Sequence, residues 1–223
     1  MFEYILNFFT TSVEHKMWGL NAPTFWALGV NAFTAVEWWG LQKQNKRIWA
    51  ERSGISVSVT LYTYTCPSFL AFIFYGIAIE SISSILNGLV IGVMEIPIVL
   101  GLWKFKKWGT REKMQFYVFL TIVPVMAAFA FTSWYNEMFL IVSLGMIVAA
   151  ASMPWELWKE EKTGDLEIRL LGAYLASTVF WWLYAFAIDE WVLEFLASFN
   201  LFFLSITTIL WCWYYRKEKR ARA

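Results

Sequence analysis

The sequence predicts an all-α integral membrane protein with seven transmembrane helices, and three observations carry that prediction. Of its 223 residues, 59% are hydrophobic and only 16% are charged, where soluble domains carry about 25% charge. Seven apolar runs reach the length that crosses a bilayer. The basic residues between those runs collect on one side. A soluble core of this size cannot hide the apolar surface that comes with 15 Trp, 10 Tyr and 20 Phe, whereas a bilayer solvates it.

In chain order the runs are Thr24–Leu41, Ile55–Ile79, Ile82–Trp103, Met114–Trp134, Met138–Trp158, Ile168–Ile188 and Trp191–Tyr215. In hydrocarbon the backbone must satisfy its own hydrogen bonds, so each run is expected to be a helix. The first is the weakest, because Asn31 and Glu37 interrupt it. Lys43, Lys46, Arg47 and Arg52 follow span one, and Lys104, Lys106, Lys107, Arg111 and Lys113 follow span three. Lys159, Lys162 and Arg169 follow span five, and Arg216, Lys217, Lys219, Arg220 and Arg222 end the chain. Seventeen of the 18 basic residues thus share one side, against Lys16 on the other. The opposite loops carry Glu80, Glu137, Asp189 and Glu190. The positive-inside rule then places the C-terminus in the cytoplasm, and an odd number of spans places the N-terminus outside. Trp103, Trp134, Trp158 and Trp191, at span ends, fit an interfacial aromatic belt. Ahead of span one, residues 1–20 read either as an interfacial helix with Phe2, Ile5, Phe8 and Phe9 on its apolar side or as a loosely ordered tail. Glu3, Glu14 and the shortness of the apolar stretch Tyr4–Phe9 argue against a cleavable signal peptide.

Composition also excludes classes. A net charge of +1 speaks against a nucleic-acid partner. Cys66 and Cys212 lie inside apolar runs without a CxxC pattern, which reads as packed thiols rather than a disulfide or zinc site. His15 is the single histidine, and there is no phosphate-binding glycine loop or Ser/His/Asp set, so neither metal nor cofactor is expected. A retinal photoreceptor needs a Schiff-base lysine in its last helix, and Trp191–Tyr215 contains none. The expected partners are the lipid bilayer and a small polar solute, with a homo-oligomer left open.

Displacing the chain by 110 residues aligns Gly54 with Gly164, Tyr64 with Tyr174, Glu80 with Glu190, Trp103 with Trp213, and Lys106-Lys107 with Arg216-Lys217. Tyr75 and Tyr184 fall one residue out of register, and Asn87 and Asn200 three. A shift of four spans preserves orientation, so the expected plan is two parallel three-helix repeats joined by a linker helix (3+1+3). The segments are 1–20 (interfacial), 21–107 (first repeat), 108–136 (linker), 137–215 (second repeat) and 216–223 (basic cytoplasmic tail).

Each copy shows a basic loop, a Ser/Thr-Gly signal, a span ending in aromatic-x-x-Tyr, and a span containing Asn. The first copy reads Arg52-Ser53-Gly54-Ile55-Ser56-Val57-Ser58, Phe72-Ile73-Phe74-Tyr75-Gly76 and Asn87-Gly88. The second reads Met153-Pro154-Trp155, Lys162-Thr163-Gly164-Asp165-Leu166, Trp181-Trp182-Leu183-Tyr184 and Asn200. These patterns resemble the PQ-loop/SWEET (MtN3) group of membrane transporters over roughly 28–217. Pro154-Trp155 stands where Pro-Gln is usual, Glu37-Trp38 replaces it in the first copy, and of the prolines that hinge such helices Pro67 and Pro154 are in place. The resemblance implies a uniporter or proton-coupled carrier for a small polar solute such as a sugar or amino acid, working by alternating access. It places Asn87 and Asn200 in the pocket, with Phe72 and Trp181 flanking the solute.

The residues support bland readings beside these. A buried amide offers donors and acceptors to a solute, or serves as interhelical glue. Ser68 and Ser177 lie four residues before Phe72 and Trp181 and so on the same helix face, where they contact solute or bond their own backbone. Glu95 sits in the otherwise uncharged run 87–102; intramembrane carboxylates mark ion paths or proton relays, or are structural acids kept protonated. Glu37, near the inner end of span one, is a second coupling candidate that water or Lys43 would neutralise. Asp189-Glu190 reads as a solvated turn. Two other functions remain: a membrane enzyme on a lipid-soluble substrate, since Trp18-Gly19-Leu20-Asn21 and Glu37-Trp38 faintly resemble small carotenoid cyclases, and a seven-helix sorting receptor or scaffold, since fold does not dictate function.

Overall fold

The computed structural model describes residues 7–8, 10–52, 59–161, 163 and 168–222. Within them lie seven long helices: α1 (Ala22–Glu51), α2 (Val59–Ala78), α3 (Ile82–Phe105), α4 (Thr110–Phe129), α5 (Tyr135–Glu160), α6 (Ile168–Ile188) and α7 (Trp191–Arg222). The described residues contain no strand. Six of these helices, α2 to α7, are long and apolar enough to cross a membrane. α1 is not among them, in keeping with its polar interruptions. It runs ten residues past the expected end at Leu41, because 42–51 contains no glycine or proline to stop it. Its extension is anchored rather than loose: Ile48 is buried and Trp49 Nε1 donates to Pro97 O at 3.0 Å.

Local chemistry sets the ends. Asn21 accepts from Thr24 N (3.1 Å) to cap α1, and Ser81 accepts from Ser84 N (3.1 Å) to cap α3. Arg52 and Glu161 close α1 and α5 in the left-handed region (φ 48° and 51°), and Glu80 and Asp189 do the same after α2 and α6 (φ 54° and 57°). Ahead of α1, a single helical turn at Val13–Lys16 folds against α3, with Val13 N donating to Glu80 O (2.9 Å) and Lys16 Nζ to Glu80 Oε2 (2.9 Å). The described part of 1–20 is helical at 7–8 and 10–11, breaks at Ser12 (ψ 151°) and resumes in the docked turn Val13–Lys16, rather than forming a continuous interfacial helix. Phe2, Ile5 and Phe9 of the expected apolar side lie outside the described residues.

The helices pack as a closed ring of six. Neighbours run α1, α3, α2, α5, α7, α6 and back to α1, while α4 stands outside on α2. Exchanging α1 with α5, α2 with α6 and α3 with α7 maps the ring onto itself. Two loops, 79–81 and 189–190, share one end of the bundle with Val13–Lys16, here the acidic end; 106–109, Glu161, Thr163 and the end of α7 form the basic end.

Backbone geometry fixes the internal register at 109 residues, not 110. Arg52 and Glu161 differ by 109, as do Glu80 and Asp189, and each pair has matching left-handed backbone. Tyr75 and Tyr184 fall into the same register. Glu190 therefore corresponds to Ser81, not Glu80, and Tyr174 to Thr65, not Tyr64. The pair Gly54 and Gly164 and the Ser-Val-Ser motif at 56–58 lie outside the described residues.

Candidate functional site

A ring of six helices leaves space on its axis. The cavity there is about 160 Å³, and every ring helix contributes to its wall while α4 does not. Its size is comparable with the roughly 150 Å³ pocket that takes up benzene.

Periodicity explains which side chains reach it. α3 presents Asn87, Ile91 and Glu95, spaced four apart, and α7 presents Leu196, Asn200 and Leu204 in the same spacing. At a register of 109 these correspond as Asn87 to Leu196, Ile91 to Asn200 and Glu95 to Leu204. The two asparagines are therefore not counterparts: Asn200 stands one helical turn deeper from the acidic end than Asn87. Likewise Glu37 of α1 corresponds to Met146 of α5, Thr65 to Tyr174, and Phe72 to Trp181, and all six line the cavity. Both carboxylates come from the first set of helices, with Met146 and Leu204 at the matching places of the second.

The polar groups are held by short bonds. Thr65 Oγ1 donates to the Glu95 carboxylate, at 2.9 and 3.1 Å from its two oxygens. The Ser177 hydroxyl bonds the Glu37 carboxylate, and Glu37 is close enough to Glu95 for their charges to interact. Asn87 Nδ2 donates to Thr34 Oγ1 at 2.8 Å. Glu37, Glu95 and Asn87 are only 6%, 3% and 2% exposed. Phe72 packs edge-on to Trp181 (centroids 5.4 Å) and stacks with Phe139 (5.3 Å) at the end nearer Tyr75.

Two buried tyrosines close the acidic end, each reaching across to the other set. Tyr75 hydroxyl of α2 meets Glu190 Oε1 (2.7 Å) and Asn136 Oδ1 (3.0 Å). Tyr184 hydroxyl of α6 donates to Glu14 Oε1 (2.6 Å) and lies 2.9 Å from Ser81 Oγ. Ser81 stands where the second set has Glu190, so the missing carboxylate is supplied by Glu14 from the N-terminal turn. Glu14 also accepts from Ile82 N (2.9 Å) and Ser83 N (2.8 Å) at the start of α3. Burial pushes its carboxyl up, but the Tyr184 hydroxyl and these N–H groups outweigh it and hold Glu14 below the usual carboxylate range. At Glu190 burial prevails over the Tyr75 bond, and the carboxyl is raised.

Of the ten residues singled out from sequence, Asn87, Asn200, Phe72, Trp181, Ser177, Glu95 and Glu37 line the one cavity. Ser68 does not; its hydroxyl donates to Tyr64 O (2.7 Å). Pro67 and Pro154 are inside α2 and α5, off the cavity wall. Glu37 is midway along α1 rather than near its end, and Lys43 does not neutralise it, since its ammonium sits 3.6 Å from the Trp39 ring centroid. Glu190 is bonded to Tyr75 rather than merely solvated at a turn. Thr65, and Tyr174 beyond its place in the repeat, carry no site role in the sequence, although each lies seven residues before Phe72 or Trp181 and so on the same helical face. Tyr75 and Tyr184 stand there as motif residues without an assigned contact. Nothing in the sequence pointed to Glu14.

No family model and no curated protein matches the sequence. The fold is similar to that of a solved eukaryotic SWEET transporter, with a TM-score of 0.68 over 87% of this chain and 97% of that one, at 13% sequence identity.

Proposed function

We propose that this chain, a multi-pass integral membrane protein with the fold of a SWEET transporter, is a carrier for a small polar solute that works by alternating access. The observation that carries the reading is the central cavity, walled by both helix sets and latched at the acidic end by paired tyrosines. The segments 21–107 and 137–215 are the units that rock, with 108–136 as linker and Pro67 and Pro154 as hinges. Seven spans put 1–20 and the acidic end outside and 216–223 in the cytoplasm. Asn87 and Asn200 bond the solute, Phe72 and Trp181 stack on it, and Ser177 supplies a hydroxyl.

Glu95 and Glu37 are the coupling groups. An ionised carboxylate inside a membrane is costly unless paired, and among the described residues no Lys, Arg or His lines the cavity. Glu95 faces Glu37 from α1, Tyr62 and Cys66 from α2, and Tyr174 from α6. A proton on this pair is the economical state of an empty cavity, and its loss on solute binding couples the two. The carrier reading differs from the enzyme reading in that nothing is chemically altered.

Uptake into proteoliposomes tests it. Asn87→Leu or Asn200→Leu is expected to abolish saturable uptake while the protein stays monodisperse and melts close to wild type. Glu95→Gln is expected to keep solute exchange and remove its dependence on a pH gradient. Aggregation of both Asn variants would make those residues interhelical glue, and a wild-type rate indifferent to the gradient would reject coupling.

A further inference from the structure

We infer that the solute taken up by this cavity is a small organic cation, an ammonium or quaternary ammonium group on a compact apolar body. The inference rests on the reading that the cavity is the transport site, and it names the class of substrate.

Charge comes first. Glu37 and Glu95 are both more than nine-tenths buried and face one cavity. Neither has a cationic partner: the three ion pairs among the described residues, Lys16–Glu80, Arg47–Glu51 and Lys217–Glu161, are exposed and away from the cavity. No described metal-binding group of three or more acidic, His or Cys residues is present either. Two buried acids without a resident counter-charge leave that place to a visitor.

Hydrogen-bonding capacity on the wall includes acceptors that a cation can use. The amide nitrogen of Asn87, a cavity-lining residue, donates to Thr34, and its oxygen remains an acceptor. Neither that oxygen nor the Tyr62 hydroxyl, itself 6% exposed, has a hydrogen-bond partner among the described residues. Asn87 thus offers an acceptor, whereas the Tyr62 hydroxyl offers both an acceptor and a donor. An ammonium carries donors and no acceptor, which suits the Asn87 oxygen and the two carboxylates.

The walls then divide the ligand. At matching register positions the first set offers Glu37 and Glu95 where the second offers Met146 and Leu204. A cation with an apolar body fits this asymmetry, its charge toward α1 and α3 and its body against α5 and α7. Phe72 and Trp181, which meet edge-on in the lining, add aromatic surface of the kind that attracts a cation. The 160 Å³ volume limits the body to about the size of one small ring.

The test uses the purified full-length protein, titrated calorimetrically with benzylamine and choline and with their neutral counterparts benzyl alcohol and 3,3-dimethylbutan-1-ol. Each cation is expected to bind at least about tenfold more tightly than its counterpart. Glu95→Gln and Glu37→Gln should each cut that preference severalfold, Glu95→Asp should retain most of it, and the exposed Glu137→Gln should leave it intact. Equal affinity for charged and neutral partners, or a preference unchanged in both Gln variants, overturns the inference. Competition by Na⁺ or K⁺ as strong as by choline also overturns it, in favour of an inorganic ion. Saturable uptake of glucose but not of choline refutes the cation class and leaves the carrier standing. Tight choline binding without uptake supports the cation site and refutes the carrier.

Discussion

Glu14 and Glu190 each bond a buried tyrosine at the same end of the bundle, yet they tie to pH in opposite senses. Glu14, held low, contributes stability that is complete above the ordinary carboxylate value and is lost as pH falls through its lowered one. Glu190, held high, weakens the fold where it is ionised, and that loss is relieved as pH falls through its raised value. At pH 7, Glu14→Gln should therefore lower stability by about 1–2 kcal/mol, roughly 2–8 °C in melting temperature for a chain of this size. Glu190→Gln keeps an acceptor for Tyr75 without the buried charge, so its melting temperature should stay level or rise. Differential scanning fluorimetry of the two variants checks this, and equal falls in both would show that the carboxylates play equivalent roles.

Between elements, α2 and α3 pack backbone against backbone along their seam. A Cβ built on Gly88 would lie 2.7 Å from Phe69 O and 2.9 Å from Ile73 N, both backbone atoms of α2. Gly76 and Gly92 meet α3 and α2 at similar range. At register 109 the α6–α7 seam has Ala185 and Ala197 where the first has Gly76 and Gly88, and both alanines are buried. Small residues let helices pack backbone to backbone where lipid offers no hydrophobic drive for association. Gly88→Val is thus expected to cost about 1–3 kcal/mol by overpacking. Gly172→Ala, with nothing within 4 Å of the added carbon, should be neutral or stabilising by up to about 1 kcal/mol. Paired thermal melts decide between this seam and a general intolerance of larger side chains.

For the molecule as a whole, charge asymmetry and the ring of helices make one joint prediction about placement in the membrane. In a background carrying Cys66→Ala and Cys212→Ala, a cysteine at Lys107 should react with an impermeant maleimide only from the cytoplasmic side. One at Glu137 should react only from outside; both positions are exposed. Labelling of both from one face would mean that α4, which lies between them, does not cross the membrane, and would reject the seven-span model.

Much of this was legible in the sequence, for a reason that lies in the solvent. A bilayer acts on each segment separately, so the lengths of α2 to α7, their helicity and the sidedness of Lys and Arg can be read one run at a time. Glu95 stood out because it interrupts an uncharged run, and Asn87 and Asn200 because a motif carried them. Rotation about each helix axis is not local, since one residue of slip turns a side chain through about 100°. Hence the slip from 110 to 109 moved Glu190 from Glu80 to Ser81, and only tertiary packing decided that Ser177 faces the cavity while Ser68 does not. The same holds for Glu14: its sequence neighbourhood is ordinary, and its bond to Tyr184, 170 residues away, exists only because the ring brings the start of the chain beside α6.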